Sequence, residues 1–92
     1  MTKTVIAQLS IEKSKIDQFL TSAQIMIEKS NAEAECVHYE LYKKTDTATD
    51  FLFHEKYENE NAVEKHNSSK HFTIFLNSVT PLLTKKPIIE LF

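Results

Sequence analysis

Apolar residues in this chain recur first at every second position and then at every third or fourth, and the order of these changes leaves few folds open. Thr4-Val5-Ile6-Ala7-Gln8-Leu9 is β-branched and apolar, as a strand is, and Ser10 behind it reads as a helix N-cap. From Ile11 to about Ser30 the positions Ile16, Phe19, Leu20, Ala23 and Ile27 keep helical spacing. The helix is expected to end near Asn31, which tolerates the left-handed conformation almost as glycine does. Cys36 to Tyr42 alternates, with Val37, Tyr39 and Leu41 on one side and Cys36, His38, Glu40 and Tyr42 on the other. After a polar, turn-like stretch from Lys43 to Asp50, alternation resumes: Phe51, Phe53, Glu55 and Tyr57 share a face, opposite Leu52, His54 and Lys56. The two runs read as a long hairpin.

Glu58-Asn59-Glu60-Asn61 places acidic groups where a helix dipole favours them, and a short helix through about Asn67 is expected. Ser69 can cap a second helical stretch carrying Phe72, Phe75, Leu76, Val79 and Leu83 on one stripe, with Pro81 near its end. Ile88 to Phe92 supplies a last strand. The order is β-α-β-β-α-β with the second helix broken in two, the split pattern of a ferredoxin-like α+β fold. One domain over residues 1–92 is expected. Such a sheet carries helices on one face only, and the other would leave an apolar patch in water. Pairing of open faces in a homodimer, a dimeric α+β barrel, is the expected remedy.

Composition narrows the function classes. Ninety-two residues bury a thin core, which a partner subunit would help, yet 41% hydrophobic and 26% charged residues are those of an ordinary globular chain. A net charge of −2 without a basic stripe argues against a nucleic-acid partner. No apolar run approaches the roughly 20 residues that span a bilayer, and Met1-Thr2-Lys3-Thr4 leads straight into a strand, so a cytoplasmic protein away from membranes is expected. Cys36 is the single cysteine, which excludes an intrachain disulfide and cysteine-rich metal sites. The chain also contains no glycine, where average usage of about 7% would give around six. Phosphate-cradling loops and dinucleotide folds need glycine for tight turns and close backbone approach, so the commonest routes to nucleotide cofactors are closed.

Several side chains could carry chemistry. His66 on the short helix titrates near neutral pH and is the candidate base; the alternative is a packing histidine. Glu55 shares a face with three aromatics, and if that face is buried it must be paired or line a cavity, since a lone buried carboxylate is too costly. A structural role, anchoring the helix pair, is the competing reading. His71 could face the same pocket or help cap its helix. Tyr39 and Tyr57 offer phenol donors for a bound oxyanion, or are core aromatics with one satisfied hydroxyl. His38 and His54 are expected as cross-strand neighbours on the other face, near the dimer interface, without a third metal ligand. His66 and His71, five residues apart, do not make a helical chelate, and no metal is expected. Cys36 has nothing beside it in sequence to lower its pKa, so it reads as packing.

The stretch Cys36-Val37-His38-Tyr39-Glu40-Leu41-Tyr42, then Phe51-x-x-x-Glu55-x-Tyr57, then Ala62-x-x-x-His66-x-x-Ser69-x-His71-Phe72-x-x-Phe75, resembles the antibiotic biosynthesis monooxygenase family. The likeness spans about 40 residues, and the flanking elements agree with that family's fold. There are departures. The family usually has Glu-Pro-Gly-Cys at the entry to its second strand, where this chain has Glu33-Ala34-Glu35-Cys36, so the turn must be made differently. Tyr57 stands where a tryptophan is most common, and the chain has no tryptophan at all, which disfavours the haem-degrading branch. The resemblance implies oxygenation of a small electron-rich aromatic or quinol-like substrate without metal, flavin or other cofactor. Triplet dioxygen reacts with such a substrate once it is deprotonated, so the protein must supply an apolar cavity, a base and donors for the developing anion. His66 is the implied base, with Tyr39, Glu55, Tyr57, His71 and Phe75 around the substrate. Other members resemble isomerases of small phosphorylated sugars or have no assigned reaction, so an isomerase of a small carbonyl compound and a non-catalytic ligand-binding or stress-response dimer are the alternatives.

Overall fold

A chain without glycine has to turn without the left-handed backbone that glycine supplies, and this one does so throughout. In the computed structural model, which describes all 92 residues, no residue has a positive φ and no peptide bond is cis. The elements are β1 (Lys3–Ser10), α1 (Ile16–Asn31), β2 (Cys36–Lys43), β3 (Asp50–Tyr57), α2 (Glu60–Asn67), α3 (Lys70–Val79) and β4 (Ile88–Leu91). Short 3₁₀ turns precede α1 at Lys13–Lys15 and follow α3 at Thr80–Leu82, the latter holding Pro81. The strands form one antiparallel sheet in the order β2-β3-β1-β4. This is the ferredoxin-like α+β arrangement expected from the order of periods.

The start of α1 differs from expectation, whereas its end falls at Asn31 as expected but is closed without a left-handed residue. Ser10 is not an N-cap but the last residue of β1; its carbonyl accepts from Thr84 N at 2.9 Å, and α1 begins at Ile16, after the 3₁₀ turn. Asn31 stays helical and Ala32 closes α1 in the right-handed region, its N–H bonding to Glu28 O. The second half follows its local signals more closely. Asn59 Oδ1 accepts from Ala62 N at 2.9 Å and starts α2, and Ser69 Oγ accepts from Phe72 N at 3.2 Å and starts α3.

The alternation of β2 breaks at its first residues. Cys36 pairs with Tyr57 and His38 with Lys56, so two steps on β2 oppose one on β3, and Val37 is the extra residue of a bulge. Val37, expected on the inner face, is 55% exposed, whereas Cys36 packs against the core. From His38 onward the parity is as expected, with Tyr39 buried and Glu40 exposed.

One face of the sheet is the core. Ala7, Leu9, Tyr39, Phe51 and Phe53 are buried there beneath Phe19, Ala23 and Met26 of α1 and Phe75 and Val79 of α3, while Val5 and Tyr57 pack with Ala62 and Val63 of α2. The rings interlock: Phe19 lies 4.9 Å from Phe51, and Phe53 meets Phe75 edge-on at 5.6 Å. Burying such a side chain stabilises the fold by about 1.5–3 kcal/mol. Phe53→Ala should therefore cost about 3–5 kcal/mol, as large-to-small aromatic changes in cores do. Val37→Ala, at the exposed bulge, should stay within about 0.5 kcal/mol. Urea denaturation midpoints distinguish the two, and a large loss at Val37 would mean that the bulge is misplaced.

Candidate functional site

The break between α2 and α3 brings together side chains that a continuous helix would separate. Ser68 N bonds back to Glu64 O at 3.0 Å, ending α2, while Ser69 Oγ donates to His66 O at 2.7 Å and accepts from Phe72 N. His66 is thereby held in the last turn of α2 and His71 in the first turn of α3. Both rings meet one oxygen. His66 Nδ1 lies 2.9 Å and His71 Nε2 2.5 Å from Glu33 Oε2, on the turn between α1 and β2. The pair that fails as a chelate on one helix thus converges because it belongs to two.

Glu33 was not singled out from sequence. Its one signal was its place as the first residue of Glu33-Ala34-Glu35-Cys36, where the family pattern also has Glu, and nothing periodic ties position 33 to position 66. With Glu33 as acceptor, His66 carries its proton on Nδ1 and leaves Nε2 bare. That Nε2 is buried and has no hydrogen-bond partner; it faces Glu55 Oε1 at 3.9 Å, too far for a hydrogen bond. Glu55 Oε1 in turn accepts from the Tyr57 hydroxyl at 2.7 Å. Around the imidazole stand the rings of Tyr39, Tyr57 and Phe72, each with its centre 5.3–5.5 Å away.

Glu55 is also the only charged side chain on the wall of an apolar cavity of about 390 Å³ between the sheet and α3. Tyr39, Phe53, Phe72, Phe75 and Ile89 line it, with Met26 from α1. Of the residues picked from sequence, Tyr39, Glu55 and Phe75 line this cavity. Tyr57 touches it only through Glu55, His66 stands behind Glu55, and His71 lies further out, about one-fifth exposed. The rings of His38 and His54 lie 4.7 Å apart, tilted by 55°, on the opposite face of the sheet, and neither lines this cavity. A second groove, of about 420 Å³ near Lys43, Lys44, Lys85 and Lys86, holds no buried titratable group.

Burial sets the electrostatics. It pushes the Glu55 carboxyl up to about 7, the Tyr57 hydroxyl pulling it down and the charge of Glu33 pushing it further up. His66 is lowered below the usual imidazole range by burial, against its hydrogen bond and attraction to Glu33, while His71 lowers it further. The phenols of Tyr39 and Tyr57 are raised, first by burial and then by the charge of Glu55, so both serve as neutral donors. The Cys36 thiol is pushed up to about 11 by burial and is no nucleophile near neutral pH. The ligand atoms of Glu33, His66 and His71 lie within 4.8 Å of one another, the one donor set here that could hold a divalent ion. As they stand, His66 Nδ1 and His71 Nε2 both bond to Glu33 Oε2.

A carboxyl whose pKa rises on folding favours the fold while protonated. Its contribution is full below the ordinary carboxyl range near 4.5 and is lost as pH rises through about 7. His66, lowered on folding, acts oppositely as pH falls below 6.5, so the two partly cancel in the wild type. Comparison with Glu55→Gln isolates the carboxyl. The variant should match the wild type near pH 4.5 and exceed its stability by on the order of 3 kcal/mol at pH 8. Urea melts across that range check this, and a constant difference would show that Glu55 titrates normally.

Comparison with known proteins places this architecture. Residues 3–77 match the profile of the family described as Antibiotic biosynthesis monooxygenase. The Bacillus subtilis (strain 168) protein named "Putative monooxygenase YcnE" is 31% identical over 78 residues, covering 85% of this chain and 82% of its own. Among solved structures, one described as an antibiotic biosynthesis monooxygenase superposes with TM-score 0.94 at 27% identity, covering 100% of this chain and 96% of its own. The structure of Rv0793 from Mycobacterium tuberculosis has the same fold, with TM-score 0.94 at 24% identity over 100% of this chain and 93% of that one. By the profile match over most of its length and by the Bacillus relative, the chain belongs to the antibiotic biosynthesis monooxygenase family.

Proposed function

We propose that the protein is a cofactor-independent monooxygenase that oxidises a small quinol or comparably electron-rich aromatic in the cavity beside Glu55. The observation that carries this reading is one carboxyl, held in the neutral pKa range, on the wall of an otherwise uncharged aromatic cavity. The substrate ring packs among Phe53, Phe72 and Phe75, and its hydroxyl meets Glu55. Glu55, and not the more deeply placed His66, takes the hydroxyl proton. Tyr57 holds the carboxylate in position, and the Tyr39 phenol donates to the substrate anion. The anion passes one electron to dioxygen, and the caged radicals join at a ring carbon as a hydroperoxide. Loss of water leaves one oxygen atom on that carbon, while the other departs with two hydrogens from the substrate. The substrate supplies all the electrons, so no external reductant enters. His66 and His71 act behind Glu55 rather than on the ring.

The same reading includes a cytoplasmic homodimer with the open sheet face inside. Ile6 and Leu52 on that face are only partly covered, and Ile88, Ile89, Leu91 and Phe92 at the β4 edge are each at least half exposed. A dimer would remove this surface from water. Light scattering should give twice 10.7 kDa at micromolar concentration, and a stable monomer overturns the dimer.

Oxygen uptake with a naphthoquinol tests the reaction. Labelled dioxygen should place one oxygen atom in the product, and Glu55→Gln should lower kcat by about 100-fold or more, the usual range for a lost general base. Phe75→Ala should mainly raise KM. Uptake unaffected by Glu55→Gln would remove the base. Binding of the quinol without oxygen uptake would make the protein a ligand carrier.

A further inference from the structure

Two histidines from different helices point one ring nitrogen each at the same carboxylate oxygen. The geometry points to a zinc site made by His66 Nδ1, His71 Nε2 and Glu33 Oε2, with water as fourth ligand, that clamps the α1–β2 turn to the α2–α3 junction. None of the three residues lines the aromatic cavity, so the ion sits behind Glu55 and neither needs nor supplies the oxidation proposed above.

Three observations carry it. First, the donors suit zinc in kind and in spacing. Two imidazoles and a carboxylate are the protein ligands of zinc sites that keep one position for water, whereas magnesium and calcium take oxygen ligands. The three ligand atoms lie within 4.8 Å of one another. A tetrahedral zinc with bonds of about 2.1 Å holds its ligand atoms about 3.4 Å apart. The present contacts of 2.9 Å and 2.5 Å to Glu33 Oε2 are shorter, so the ion replaces the two N–H protons and opens those contacts by less than about 1 Å. Each neutral imidazole then carries its proton on the other ring nitrogen and gives the ion a lone pair.

Second, the ion explains a buried nitrogen that otherwise has no partner. His66 is 1% exposed, and its Nε2 makes no hydrogen bond while facing Glu55 Oε1 at 3.9 Å. Ligation through Nδ1 turns that nitrogen into an N–H aimed at a carboxyl oxygen, the usual outer partner of a metal-bound histidine. Third, the ligands are held in place and can be reached from solvent. Glu35 ties the Glu33 turn to Asn59 and Lys65, while Ser69 bonds to His66 O and Phe72 N and so fixes the junction between the two histidines. A surface groove of about 280 Å³ lined by Glu33, Glu35, Lys65 and Ser69 leads to the carboxylate. Lys65 pairs with Glu35, and no lysine pairs with Glu33, so no cation of the chain competes for the site.

Zinc titrated into chelator-stripped protein, followed by calorimetry and thermal melting, tests the site. One zinc should bind per chain with a micromolar or tighter Kd and raise the melting temperature, while magnesium and calcium do neither. His71→Ala, which removes a partly exposed ring and leaves the core intact, should weaken zinc about tenfold or more, and Glu33→Gln should do the same. Cobalt in place of zinc should give the visible absorption of a four-coordinate ion, and His71→Ala should abolish it. Proton–nitrogen NMR correlations should show the His66 proton on Nδ1 before zinc is added and on Nε2 afterwards. The histidine pair on the other face, His38 and His54, is the competing site. Zinc binding that survives His71→Ala and Glu33→Gln but is lost in His38→Ala overturns the proposal. Absence of binding at millimolar zinc, or a His66 proton that stays on Nδ1, overturns it equally. No substrate enters these measurements, so the zinc site and the oxygenase reading stand or fall separately.

Discussion

A carboxyl kept from water among aromatic rings is the constraint around which this molecule is arranged. Glu55 occupies a β3 position whose neighbours on the same face, Phe53 and Tyr57, are core, and it is itself only 6% exposed. An isolated buried charge would cost far more than a domain of this size can offset. The fold meets that cost in two ways: a short hydrogen bond from Tyr57 to the carboxylate and a pKa pushed up to about 7, which keeps the neutral acid populated well above the ordinary carboxyl range. A carboxyl poised near neutral pH can take up or release a proton there, the property a general base requires. The aromatic wall that makes the carboxyl costly is also what would bind an aromatic ring.

How much of this was legible in the sequence depended on whether the signal was periodic or conformational. The sheet and helices were readable because Phe51, Phe53, Glu55 and Tyr57 alternate and because Phe72, Phe75 and Val79 keep helical spacing. The starts of α2 and α3 were readable because Asn59 and Ser69 satisfy free N–H groups within three residues of themselves. Ser10 failed as a cap for a related reason. Its place is set by the β1 pairing with Asp50 and by Thr84, neither of which is local.

The site was less legible, because its key contacts join distant segments. Glu33 meets His66 across 33 positions and His71 across 38, and no spacing rule relates them. The bulge at Val37 is similar: an extra residue in one strand is defined only against its partner strand. Without that bulge, continuous alternation from Tyr39 would turn Cys36 away from the core and Val37 into it. The separation of His66 from the cavity wall was invisible for the same reason, since it depends on which β3 side chain stands in front.

The turn before β2 shows how a chain lacking glycine reuses the position. Cys36 N bonds to Glu33 O at 3.2 Å, closing a four-residue turn whose central residues are Ala34 and Glu35. The Pro-Gly of the family pattern suits a turn with a left-handed third residue, but here both central residues have negative φ. That geometry admits a side chain where glycine would have none, and the chain places a carboxylate there. Glu35 accepts from Asn59 Nδ2 at 3.4 Å and lies 3.4 Å from Lys65 Nζ, tying the turn to both ends of α2. The pair with Lys65 is exposed and contributes little energy. Its consequence is positional: the turn that carries Glu33 is tethered to the helix that carries His66, so the contact between them is supported by the backbone on both sides.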